Sequence, residues 1–88
     1  MNQNIKHIAK HYGFQHQVKK TTEECGEFIV ALSKLANGEG TQADVVEEMA
    51  DVLVMLQQMQ YFLNIDLALL HTTMEAKVHR QLERIRCQ

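Results

Sequence analysis

From Thr41 to Leu63 the chain carries apolar residues on two helical stripes at once, a pattern that few folds can satisfy. Val45, Met49, Val52, Leu56, Met59 and Leu63 recur at three- and four-residue spacing and form one stripe. Val46, Ala50, Leu53 and Tyr61 form a second, with Val54, Met55 and Phe62 filling between them. A helix apolar nearly all round is either central in a bundle or covered on a second side by another chain. Helical periodicity dominates the rest of the chain as well, and no strand alternation competes with it.

The breaks in that periodicity divide 88 residues into four helices. The first, about 2–12, places Ile5, Ile8, Ala9 and Tyr12 on one stripe and ends at Gly13. The second, about 14–36, has Val18, Thr22, Cys25, Ile29, Leu32 and Leu35 or Ala36 as its apolar face. Asn37-Gly38 stops it, because glycine adopts the left-handed conformation of a helix end at little cost. Thr41 and Asp44 have the spacing of a capping box and start the third helix. Asn64-Ile65-Asp66 is the next break, with Asp66 as N-cap of a fourth helix over about 67–86. That helix is expected to bury Leu67, Leu70, Met74, Val78, Leu82 and Ile85. The expectation is an all-α antiparallel bundle of three long helices plus a short N-terminal helix, forming a single domain over 1–88. A core this small seldom suffices alone, and the third helix is over-apolar, so a homo-oligomer with a four-helix-bundle-type core is expected.

Composition excludes several classes. A net charge of −2 gives no general attraction to nucleic acid or to an anionic membrane. No apolar run is long enough to span a bilayer and none resembles a secretory leader, so the reading is cytoplasmic. The two cysteines, Cys25 and Cys87, form no disulfide framework and read as free thiols.

Six of the eleven acidic residues fall in two clusters, Glu23-Glu24-Cys25-Gly26-Glu27 and Glu47-Glu48-Met49-Ala50-Asp51. Glu24 with Glu27, and Glu48 with Asp51, are i,i+3 pairs, so each pair lies on one helix face. A short loop joins the two helices, which brings the clusters toward each other. Carboxylates on a solvated face are common, but Glu48 and Asp51 interrupt a strongly apolar helix, where like charges repel and resist desolvation. Four converging oxygen ligands suit a hard divalent cation such as Mg²⁺, which on carboxylates usually serves phosphate chemistry. Lys77, Arg80 and Arg84 form a basic stripe on the last helix. Its bland reading is compensation of the helix dipole; beside an acidic metal site it also suits phosphate oxygens. His7 and His11 share a face without supporting ligands. The methionines read as core filler. Cys25 has no arranged base, and no glycine-rich phosphate loop is present.

The run Gln17-Val18-Lys19-Lys20-Thr21-Thr22-Glu23-Glu24-Cys25-Gly26-Glu27, followed after twenty residues by Glu48-Met49-Ala50-Asp51, resembles the MazG-like all-α nucleotide pyrophosphohydrolases, with their EExxE and ExxD on antiparallel helices. The likeness extends to the basic segment Glu75–Arg84 and covers roughly residues 12–86. Gln81 stands where members often have asparagine. The resemblance implies that Glu24, Glu27, Glu48 and Asp51 hold Mg²⁺, with Mn²⁺ as a substitute, and that Glu23 and Glu47 support them. It implies that Lys77, Arg80 and Arg84 face the phosphates and that Gln17 and Lys20 lie near the nucleotide. The implied reaction converts a nucleoside triphosphate to the monophosphate and pyrophosphate, in a homodimer or homotetramer. A di-iron carboxylate protein is disfavoured, since the chain lacks Glu-x-x-His. The alternative from another class is a non-catalytic oligomeric interaction or nucleotide-sensing module, whose acids would contact solvent or a partner.

Overall fold

A computed structural model describes residues 2–88, and these are all-helical, with four helices and no strand. The helices are α1 (Gln3–Tyr12), α2 (Phe14–Ala36), α3 (Gln42–Phe62) and α4 (Leu67–Arg86). Their ends are set by the punctuation read in the sequence. Gly13, at φ 86°, separates α1 from α2, a conformation that costs a side-chain-bearing residue far more than glycine. Thr41 Oγ1 accepts from the Asp44 amide at 3.1 Å and caps α3. Asp66 Oδ1 accepts from the Ala68 amide at 2.9 Å and caps α4.

Residues 37–41 return α3 alongside α2, so the two pack as an antiparallel hairpin, and α1 lies across both. Packing on α2 falls on Gln17, Glu24, Phe28 and Ala31; on α3 it falls on Val45, Glu48, Val52 and Met55. Phe14 closes the end of the hairpin with an edge-on contact to Phe62, ring centroids 5.4 Å apart. Within α1, Ile5 and Ala9 are buried, while Ile8 and Tyr12 of the expected stripe remain exposed.

Two expectations are corrected. The apolar face assigned to α2 is not what the hairpin buries: Val18, Ile29, Leu32 and Leu35 are exposed and Cys25 is half-buried. The phase is off by one residue, because the seam is built on 17, 24, 28 and 31. On α3 the first stripe splits in the same way. Val45 is buried and Val52 and Met59 are half-buried, but Met49, Leu56 and Leu63 face outward with Val46 and Leu53. The second correction concerns α4. It packs on no other helix, and none of its residues is buried, including Leu67, Met74, Val78, Leu82 and Ile85. The amphipathic stripe is there, but among the described residues no other helix covers it, and of the expected stripe only Leu70 is half-buried.

Candidate metal centre

The seam between α2 and α3 is polar at its heart. Gln17 Nε2 donates to Gln58 Oε1 at 2.7 Å, and both side chains are buried. Gln58 also donates to Met55 Sδ at 3.6 Å, and His16 Nδ1 lies 2.6 Å from Gln17 Oε1. Satisfied buried amides of this kind are tolerated because the hydrogen bond offsets desolvation.

Two turns further along α2 the buried polar groups are charged. Glu24 from α2 is buried, Glu48 from α3 is half-buried, and Glu27 from α2 is exposed beside them. One carboxylate oxygen from each lies within 4.8 Å of the other two. Lys20 Nζ reaches Glu24 Oε1 at 3.2 Å and Glu23 at 3.8 Å. Its hydrogen bond to Glu24, and then the charges of Glu24, Glu23 and Glu27, raise the Lys20 ammonium above its ordinary value, against some desolvation. The other oxygen of Glu24, Oε2, is buried without a hydrogen-bond partner among the described residues, and so is Glu48 Oε2. Burial raises the Glu48 carboxyl above its ordinary value, and the neighbouring Glu27, Asp51 and Glu24 charges add to the rise. A buried carboxylate oxygen that accepts nothing is costly, and either a bound cation or an added proton offsets that cost. The donor set is all carboxylate oxygen, which selects a hard ion such as Mg²⁺ over a thiophilic one.

The cluster opens into a cleft of about 740 Å³ along one side of the hairpin, lined among others by Glu23, Glu27, Glu48, Asp44 and Lys34. Gly40 permits the α2–α3 loop to cross close over α2, since a Cβ there would sit 3.2 Å from Lys34 Cβ.

Of the residues singled out in the sequence, Glu24, Glu27 and Glu48 come together. Asp51 stands outside that triad, although its charge acts on Glu48. Glu23 sits on the rim with Lys20, and Glu47 is exposed. Gln17 is buried against Gln58, below a second cleft that Tyr12, His16, Lys20 and Glu23 also line. Lys77, Arg80 and Arg84 are not brought to the acids within the chain, because α4 contacts no other helix. Two site residues escaped the sequence reading. Lys34 lies two helical turns after Glu27 on the same stripe, and that periodicity was available as a signal. Gln58 had a weaker one, an amide within an apolar helix.

The chain matches no family model, and no curated protein or solved structure matches it. Its class is therefore an all-helical protein with a three-carboxylate cluster suited to a divalent cation, defined by its own residues.

Proposed function

We propose that the chain is a Mg²⁺-dependent nucleoside triphosphate pyrophosphohydrolase of the MazG-like kind, releasing pyrophosphate and a nucleoside monophosphate. The observation that carries this reading is the convergence of Glu24, Glu27 and Glu48 from two helices, with two buried oxygens left unpartnered. The spacing that resembles the MazG-like motif and the cleft beside the cluster support it. Glu24, Glu27 and Glu48 would hold Mg²⁺, with Asp51, whose charge already acts on Glu48, as the fourth ligand that the resemblance implies; the ion would neutralise phosphate charge and polarise a phosphoryl group.

The remaining work belongs to the chain. Lys20 fixes one oxygen of Glu24 and leaves the other buried without a hydrogen-bond partner. Glu27 and Glu48 line the cleft, so substrate meets these two and not Glu24. Lys34, also on the cleft wall, adds a cation for phosphate oxygens within the same chain. Protons compete with a cation for the Glu48 carboxylate, so metal affinity should fall on acidification.

The test is pyrophosphate release from a panel of nucleoside triphosphates with Mg²⁺ or Mn²⁺, together with thermal melts in each metal. A metal enzyme shows turnover and a metal-dependent rise in Tm. Absence of both across the panel leaves the non-catalytic interaction module in its place.

A further inference from the structure

Among the described residues, two apolar surfaces lack a partner, and they match. On the hairpin, Ile29 and Leu32 of α2 and Val46 and Leu53 of α3 are each about half or more exposed. Each follows a packed position (28, 31, 45, 52) by one residue, which is 100° further round its helix. Because α2 and α3 run in opposite directions, the same rotation carries both stripes to one side of the hairpin. Helix α1 packs at the other side, where its Ile8 and Tyr12 line a cleft together with Gln58. The second surface is the stripe of α4, where Met74, Val78, Leu82 and Ile85 are 57–63% exposed. Helix α4, with 20 residues, is about 30 Å long, and the 21 residues of α3 give the hairpin face nearly the same length.

The exposed area measures what is missing. A compact monomer of this mass exposes about 5,300 Å²; this chain exposes 6961 Å². The excess, about 1,600 Å² per chain, is roughly twice what one partner contributes to a standard interface and falls in the range of obligate homodimers. The Cα radius of gyration is 16.0 Å, against about 12 Å for a compact chain of this length. The link to α4 is tied down: the Ile65 amide donates to Gln60 O and the Leu63 amide to Met59 O, each at 3.0 Å. Beyond this link α4 makes no contact with its own hairpin.

We infer that the hairpin face is covered by α4 of a second copy, in a reciprocal exchange between two chains. Each α4 lies along the partner's α2–α3 groove and completes there the three-helix bundle that the sequence predicts within one chain. One two-fold interface then covers all four unpartnered apolar surfaces, and it is self-complementary as such an interface must be. This inference stands on packing and area, independently of the catalytic reading.

The experiment is complementation between two full-length variants, read by sedimentation with circular dichroism as the check on helicity. Wild type sediments as a dimer at micromolar concentration. Leu53→Glu spoils the hairpin face and Val78→Glu spoils α4, and each alone weakens dimerisation by at least about a hundredfold. Mixed in equal amounts they form a heterodimer, because the intact α4 of the first meets the intact hairpin of the second. If hairpins instead pair with hairpins and α4 with α4, every contact in the mixture is half-spoiled and no heterodimer forms, which overturns the exchange. A monomeric wild type overturns it as well, since α4 then folds back on its own hairpin or stays bare. Should glutamate at either position reduce the helical signal, Leu53→Asn and Val78→Asn are mixed instead, with the same two outcomes.

Discussion

The interior of the α2–α3 hairpin and its outer face invert the usual order of a globular chain. The seam holds Gln17, Glu24, Glu48 and Gln58, while Ile29, Val46 and Leu53 lie outside. Either observation alone has ordinary explanations, since scattered surface hydrophobics are normal and buried amides are common. Side by side on one pair of helices they separate two kinds of constraint. Buried carboxylates with unpartnered oxygens are costly to folding, a cost that a bound cation would offset. A contiguous exposed apolar face is costly to solubility, a cost that a covering partner would remove.

The strongest way to break this comparison is to neutralise the seam. Glu48→Gln should lower metal-dependent pyrophosphate release on the order of a hundredfold to a thousandfold, the scale for losing one preorganised electrostatic group, while the helical circular dichroism signal is kept. Wild-type turnover in this variant would remove Glu48 from the site.

Next come the cations. Lys34→Ala should weaken nucleotide binding on the order of tenfold to a hundredfold, as expected for one charge-assisted contact, with metal binding to the free protein unchanged. Arg80→Ala should produce a loss of similar size only where α4 reaches the cleft of an assembled oligomer. Calorimetry on the two metal-loaded variants compares them directly. Equal affinity to wild type in Lys34→Ala would place the phosphates away from this wall of the cleft.

The neutral half of the seam gives a smaller effect. Gln58→Leu leaves the buried Gln17 amide without its acceptor and should cost about 1–3 kcal/mol in denaturant unfolding. A variant as stable as wild type would show that the amide pair contributes nothing net.

The smallest effect concerns pH. The Glu48 carboxyl lies above its ordinary value of 4.5 in the folded chain, so the metal-free native state holds that proton more tightly than the unfolded state. Stability therefore rises as pH falls from neutrality through the raised value, and the gain is complete below the unfolded one. Glu48→Gln should abolish this rise and stabilise the metal-free protein near neutral pH. Melts of both proteins across mildly acidic pH, with chelator present, make the measurement; parallel pH curves would refute the assignment.

Much of the molecule was legible in the chain. Thr41, Asp66, Gly13 and Gly38 mark helix ends through local hydrogen bonding and backbone conformation, which depend on a few adjacent residues. The i,i+3 carboxylates follow from helical periodicity in the same way, and so Glu24, Glu27 and Glu48 could be named before any coordinates. What the sequence could not decide was the phase of each helix within the hairpin. Residues 17, 24, 28 and 31 and residues 18, 25, 29 and 32 are neighbouring stripes on α2, and hydrophobicity alone chooses the second. The packed seam uses the first, because the helix must turn both faces toward something, and a chain's own pattern does not say which partner is its own. Only tertiary structure shows that the polar stripe meets α3, that Asp51 falls just outside the triad, and that α4 packs on nothing in the same chain. Local interactions set the helices, and long-range packing, in which intrachain and interchain burial gain the same free energy per unit area, set which surface went where.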